Sequence, residues 1–276
     1  MPMLRSLLAK VLRGAGYVVH RQKDVVVLPR LPAGPALSAC PGIDWNLGAA
    51  DELLTRTLPH YGDEWRAFPR EAAPGRYGYD NPYFSLVDAA VCHALVRERR
   101  PPLVIEVGSG YSTLVLRRAL DLNGSGRLVS IDPEPRVDVS SAAHELRRTP
   151  AQDVLVSVFT ALPPGGVLFV DSSHRAGPGS DVNHLLLEVL PALQPGVLVH
   201  VHDVYLPEDY PASWNVEQGW HYTEQYLLQA LLAFTSGLRI LWPARQVLRE
   251  REAELARLFP DPAVRGLACS FWMVRS

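Results

Sequence analysis

From Phe84 onward, apolar and polar positions alternate in a regular rhythm. Phe84 to Arg99 repeats apolar residues at helical spacing, and Pro101-Pro102 stops it. Leu103-Val-Ile-Glu-Val107 is a short, nearly continuous apolar run that ends in Gly108-Ser-Gly110. Such a run predicts a strand covered on both faces, as in a parallel sheet. Ser112 to Leu122 predicts a helix, and Arg127 to Ile131 a strand ending at Asp132. Gly166 to Val170 predicts a strand ending at Asp171, Asn183 to Leu193 a helix, and Val197 to Val201 a strand ending at His202-Asp203. The C-terminal part adds a helix (Thr223 to Ser236), a strand (Leu238 to Leu241), a charged helix (Gln246 to Phe259) and a last strand (Ser270 to Val274). Strand and helix alternating in this way predict an α/β fold built on a doubly wound sheet.

The first 80 residues follow a different pattern. Met1 to His20 carries Leu4, Leu7, Leu8, Val11 and Leu12 at helical spacing, interrupted by Arg5, Lys10 and Arg13. It lacks the continuous apolar core and small-residue cleavage site of a signal peptide. An amphipathic helix is expected, packed on its own domain or on a second subunit, with peripheral membrane contact as the alternative. Four prolines and two glycines over residues 28–45 predict a loop. Leu47 to Leu58 predicts a further helix. The expected organisation is therefore a helical, lid-like or dimerisation appendage over 1–80 and one α/β domain over 81–276. A homodimer fits the appendage, and no stretch of the chain is long and apolar enough to span a bilayer.

Composition narrows the partners. Of 276 residues, 47% are hydrophobic and the formal net charge is −2. That balance allows a well-buried core and offers no basic stripe for a nucleic-acid backbone. Three scattered cysteines (Cys40, Cys92, Cys269) without CxxC spacing read as reduced thiols of a cytoplasmic protein.

The candidate chemistry follows from the sheet. Ligands of such sheets bind at the carboxyl ends of the strands. Glu106, Gly108, Gly110, Asp132, Asp171, His174, His202 and Asp203 all fall at or just past predicted strand ends and are expected to share one crevice. In Glu106-Val-Gly-Ser109-Gly110-Tyr-Ser112, the glycines let the backbone approach a ligand, and the following helix offers unpaired N–H groups. Position 113 is Thr, where a dinucleotide fingerprint has its third glycine. The acidic Glu106 before the loop suits a zwitterionic, sulfonium-bearing ligand better than a pyrophosphate. Asp132 suits two ribose hydroxyls, or else caps a helix. Asp153, after Gln152, is placed to meet an adenine amino group, or lies in a solvated loop.

These residues resemble motif I of class I S-adenosylmethionine-dependent methyltransferases, here Glu106 to Thr113. The continuation is similar to a bacterial family of that class, through Asp171-Ser-Ser-His174, Ser180-Asp-Val182, Leu190 to Val197, His202 to Pro211 and Glu224 to Leu228. The resemblance covers roughly residues 80–240. It implies a Rossmann-like, mostly parallel seven-stranded sheet, with S-adenosylmethionine held by Glu106, Gly108, Ser109, Gly110, Ser112, Asp132, Asp153 and Asp171. Among metal-dependent O-methyltransferases, ligands stand at the two strand ends occupied here by Asp171 and by His202-Asp203. Asp171, His202 and Asp203 are thus candidate ligands of a divalent ion, with His202 shifting the preference from Mg²⁺ towards Mn²⁺ or Fe²⁺. By position His174 resembles the catalytic base of sugar O-methyltransferases, with Asp171 beside it. Tyr205, Trp214 and Trp220 form a candidate wall for a small-molecule acceptor, or else pack in the core.

The expected activity is O-methylation of a sugar or secondary metabolite. N- or C-methylation on the same fold is the near alternative. A non-haem iron oxygenase built on Asp171, His174 and His202, and a non-catalytic adenosylmethionine-binding partner, are the more distant ones.

Overall fold

The computed structural model describes residues 39–216 and 218–276. The basic helix expected over residues 1–20 lies outside them. The described chain opens with α1, a continuous run of Leu47–Glu52, Leu53–Thr57 and Leu58–His60 whose middle part is a π turn, followed by α2 (Gly62–Arg66). Then come α3 (Leu86–Arg99), β1 (Leu103–Val107), α4 (Tyr111–Asn123), β2 (Arg127–Ile131), β3 (Glu145–Arg147), α5 (Val156–Phe159) and β4 (Val167–Val170). A second run with a π turn, α6, covers Asp181–Asn183, His184–Val189 and Leu190–Ala192. It leads to β5 (Leu198–Val201), α7 (Ala212–Val216) and α8 (Glu224–Phe234). β6 (Leu238–Pro243), α9 (Ala244–Glu250), α10 (Glu252–Leu258), α11 (Pro262–Arg265) and β7 (Phe271–Arg275) complete the chain. Each π turn runs into a helical proline, Pro59 or Pro191. Proline has no N–H for the i→i−4 bond and crowds that carbonyl, and the wider turn relieves both.

The seven strands form one sheet in the order β3-β2-β1-β4-β5-β7-β6. β1, β2, β3, β4 and β5 pair in parallel, while β7 runs antiparallel between β5 and β6. The order reverses at β1, with β2 on one side and β4 on the other. The carboxyl ends of these strands therefore open a crevice at the switch point.

Strand alternation divides the core. Val104, Val167, Phe169, Leu198 and Trp272 face the layer of α1, α3 and α4. Ile105, Val107, Leu168, Val170, Val199 and Val201 face the layer of α5, α6 and α8. Leu53, Leu54, Leu58 and Trp65 are buried in the first of these layers, together with Val87 and Val91 of α3. The Trp65 ring stacks on Phe259 at 4.8 Å. No helix among the described residues is long and apolar enough to cross a membrane.

Candidate active site

The carboxyl ends of β1, β2, β4 and β5 border a cleft of about 1280 Å³. Gly108, Ser109, Asp132, Asp171, His174 and Asp203 all line it. Of the positions expected there, Glu106 is the clearest exception. It shares strand parity with Val104, so its side chain turns to the α4 layer and is fully buried. Its carboxyl group accepts from Ser112 Oγ at 2.7 Å, Thr113 Oγ1 at 2.8 Å and Ser130 Oγ at 2.6 Å. Glu106 and Ser112, both expected to touch the cofactor, thus bond each other and fasten the start of α4 to β1 and β2.

Burial pushes the Glu106 carboxyl up to about 7, against the pull of the three hydroxyls. The folded state then holds a proton that the unfolded chain releases near 4.5. Stability on this account falls as pH rises from about 4.5 through 7, by on the order of 2–3 kcal/mol. Glu106→Gln is expected to remove that fall. Melting temperatures at pH 5.5 and 8 check it: the variant gains on the wild type at pH 8, and a constant gap would contradict the assignment.

The glycine loop is held from two sides. Gly108 has φ +79°, and a Cβ there would lie 1.8 Å from the Asp171 carbonyl oxygen. Its N–H donates to the Ile131 carbonyl at 3.0 Å, and the Asp171 N–H donates to Val107 at 2.8 Å. Asp132 accepts from the Ser109 N–H at 2.7 Å, the Ser109 hydroxyl at 2.9 Å and the Glu134 N–H at 2.8 Å. A Cβ on Gly110 would meet nothing within 4 Å, so the backbone here is open to a ligand. Pro150, Ala151 and Gln152 line the far end of the cleft. Asp153, expected to do so, is exposed and stands outside the lining.

On the other side, His174 leaves β4 in the left-handed region, with φ 59°, and Asp203 leaves β5 with φ 54°. Non-glycine residues rarely occupy this region, and where they do they cluster at functional sites. His174 Nε2 lies 3.2 Å from Asp171 Oδ1 and 3.5 Å from Asp203 Oδ2. Its Nδ1 lies 2.8 Å from Glu224 Oε2. The His174 carbonyl accepts from the N–H groups of Thr223 and Glu224 at 2.8 and 3.2 Å, which fixes the turn to the start of α8. Burial alone would lower the His174 pKa, but Asp171, Glu224 and Asp203 outweigh it and hold the imidazole well above its ordinary value. The Asp171 carboxyl, which burial would raise, is held below the usual range by His202 and His174.

The expected metal set, Asp171, His202 and Asp203, differs from the group whose donor atoms converge, although His202 also lines the cleft. Among the described residues, Asp171, His174 and Asp203 bring one donor atom each within 4.8 Å of the others, and His202 is not among them. His202 shares the parity of His200 and points into the layer of Phe84, whose ring is 5.3 Å away. Its Nε2 contacts the Tyr83 carbonyl at 3.2 Å and Cys269 Sγ at 3.8 Å. His202, Asp88 and Cys269 form a separate buried group. There Asp88 already accepts from Ser85 Oγ at 2.7 Å and the Ser270 N–H at 2.9 Å, tying α3 to β7. His200 stacks on Phe169 at 3.8 Å, as a packing residue.

Trp214 and Trp220 line the cleft. Tyr205 does not: it stands behind Trp214, edge to face at 5.0 Å. Tyr222 lines the cleft in its place, with its ring 4.4 Å from that of His174. Glu224 and Tyr222 were not assigned a role from sequence. The only signal was that Glu224 opens one of the segments carrying the resemblance.

Residues 105–204, from β1 to just past β5, match the family model of a methyltransferase domain. They span the glycine loop, Asp132, Asp171, His174 and Asp203. Comparison with curated proteins finds no significant match. Among solved structures, the chain is similar to the O-methyltransferase TomG from Streptomyces achromogenes, involved in tomaymycin synthesis and solved with S-adenosylmethionine. The identity is 21%, with 71% of this chain and 88% of that chain covered and a TM-score of 0.39. It is also similar to an O-methyltransferase from Bacillus cereus solved with S-adenosylhomocysteine, at 17% identity, 84% and 98% coverage and a TM-score of 0.38.

Proposed function

We propose that this protein is an S-adenosylmethionine-dependent methyltransferase that methylates a hydroxyl group of a small molecule. The observation that carries the proposal is the convergence of the glycine loop and Asp132 with Asp171, His174 and Asp203 in one cleft. Its volume exceeds the roughly 300–1,000 Å³ of a single small-molecule pocket, which leaves room for donor and acceptor together. The donor suits the first half: the glycine loop at Gly108 and Ser109, open backbone at Gly110 in the adjoining hollow, and a carboxylate at the end of β2 for a ribose. When bound, it supplies a methyl group on a sulfonium, ready for displacement.

In this reading Asp132 exchanges its loop hydrogen bonds for the ribose hydroxyls. Glu224 takes the Nδ1–H of His174 and so presents Nε2, as a proton acceptor, to the acceptor hydroxyl. The acceptor oxygen forms its bond to the methyl carbon, the C–S bond breaks, and its electron pair stays on sulfur as a neutral thioether. The hydroxyl proton passes to His174. Trp214, Trp220 and Tyr222 give the acceptor a flat apolar wall beside the base.

A second reading is favoured by the donor set. One imidazole nitrogen and two carboxylates within 4.8 Å suit a divalent ion that accepts mixed N/O ligands, such as Mn²⁺ or Fe²⁺. Asp171, His174 and Asp203 would hold it, and it would supply Lewis acidity to a bound hydroxyl. His174 Nε2 cannot then also take a proton.

The test of the main proposal is calorimetric. Wild-type protein is expected to bind S-adenosylhomocysteine with micromolar affinity, roughly −8 kcal/mol, and Asp132→Ala to weaken it at least tenfold. No heat at saturating ligand would overturn the proposal.

A further inference from the structure

A small hollow of about 40 Å³ adjoins the main cleft beside the glycine loop. Tyr83, Ser109, Gly110, Tyr111, Arg136 and Asp171 are among the residues that line it. Arg136 and Asp171 also line the main cleft, so the two spaces share a wall. The cation of Arg136 sits 5.3 Å above the ring of Tyr83, which in turn stacks on Tyr111 at 6.4 Å. Among the described residues no carboxylate pairs with Arg136, and its contact is with this aromatic face. The hollow thus offers one carboxylate, Asp171, and one guanidinium without an anionic partner, beside an open backbone loop.

That charge arrangement matches an α-amino acid. On the methyltransferase reading, which this inference rests on and deepens, the ribose lies at Asp132 and the sulfonium faces His174. The aminocarboxypropyl arm of the donor must then run along Gly108 to Gly110 and end in this hollow. We infer that Arg136, braced on Tyr83, is the counter-ion of the donor's carboxylate, with Asp171 facing its ammonium. Among the described residues, the cleft lining holds the carboxylates Asp132, Glu134, Asp171, Asp181 and Asp203 and two arginines, Arg136 and Arg175. Arg175 follows His174 on the acceptor side, and Arg136 alone of the two borders the loop hollow. Arg136 is exposed, and a ligand carboxylate entering so acidic a cleft meets repulsion that this guanidinium offsets. The two ends of the arm also explain discrimination: a nucleoside lacking the amino acid leaves Arg136 unused.

Calorimetry on the full chain separates this role from general support of the fold. The probes are S-adenosylhomocysteine and 5′-methylthioadenosine, which shares the nucleoside and thioether but lacks the aminocarboxypropyl arm. Arg136→Gln is expected to weaken S-adenosylhomocysteine about 10- to 30-fold and to leave 5′-methylthioadenosine within twofold. Arg136→Lys is expected to recover part of the loss, since it restores charge but not the planar fork. Equal weakening of both probes would overturn the inference, because it would place Arg136 at the nucleoside or in the fold. Unchanged S-adenosylhomocysteine affinity would overturn it as well. A wild type that binds neither probe would instead remove the methyltransferase reading, and this inference with it.

Discussion

His174→Ala is expected to lower kcat by about 10²- to 10⁴-fold, the usual contribution of a positioned acid–base group, while S-adenosylhomocysteine still binds with near wild-type affinity. The expectation rests on the placement of Nε2 between the carboxylates of Asp171 and Asp203, with Nδ1 held by Glu224. Glu224→Gln keeps the shape of the side chain but no longer accepts charge, and a smaller loss, about tenfold or more, is expected. Because three carboxylates hold the His174 pKa above its ordinary value, the unprotonated base becomes available only towards alkaline pH. The rate should therefore rise with pH, and the rising limb should move to lower pH in Glu224→Gln. Chelation distinguishes the metal reading. With His174 as base, dialysis against a strong chelator leaves the wild-type rate unchanged. With His174 as ligand, chelation abolishes the rate, Mn²⁺ or Fe²⁺ restores it, and His174→Ala no longer responds to metal. Full activity of His174→Ala would rule out both roles.

Among the described glycines, Gly108→Ala is expected to be the most damaging added methyl group. The residue sits at φ +79°, and the added Cβ would lie 1.8 Å from the Asp171 carbonyl oxygen, which is backbone and cannot swing aside. A left-handed conformation costs an L-residue about 1–2 kcal/mol. The clash must add the separation of β1 from β4 at the mouth of the cleft. A total loss of about 3–5 kcal/mol is expected, within the range reserved for strain and overpacking. Thermal unfolding should register a drop of roughly 10 °C, accompanied by loss of turnover as Asp171 shifts. Gly110→Ala supplies the contrast. Its Cβ would meet nothing within 4 Å, so stability should hold while S-adenosylhomocysteine binding weakens. Equal melting temperatures for Gly108→Ala and the wild type would contradict the packing described for the loop.

Much of the sheet was legible because its strands carry the signature of burial on both faces. β1, β2, β4 and β5 are short apolar runs closed by glycine, aspartate or a His-Asp pair, and each stands within a residue of where the sequence places it. β3 was not legible. Glu145–Arg147 is a half-exposed edge strand of charged and apolar residues, whose pairing with β2 leaves no periodic trace. The single charged helix expected over Gln246 to Phe259 breaks at Arg251, whose guanidinium turns to Asp51 at 2.6 Å, a partner 200 residues away.

In the site, the strand ends were readable and the directions of their side chains were less so. Glu106 stands where expected along the chain, yet strand parity turns it to the α3 and α4 layer, while His202 lines the cleft and also meets Asp88 and Cys269. Asp171, His174 and Asp203 bring their donor atoms together. Parity was available in the sequence, since Val104 and His200 mark the same faces, but it gains meaning only once one knows which layer covers which face.

By itself the sequence determined the strand–helix order, the glycine loop and the acids at the strand ends. These follow from local rules: burial periodicity along a segment, and the glycine that a left-handed turn demands. Only the tertiary structure decided that Glu224 holds His174 across 50 residues, that Tyr222 rather than Tyr205 faces the cleft, and that Arg136 lies over Tyr83. Those contacts join residues far apart in the chain, and no periodicity encodes them. They arise when the layers close on the sheet and each buried charge must find a partner.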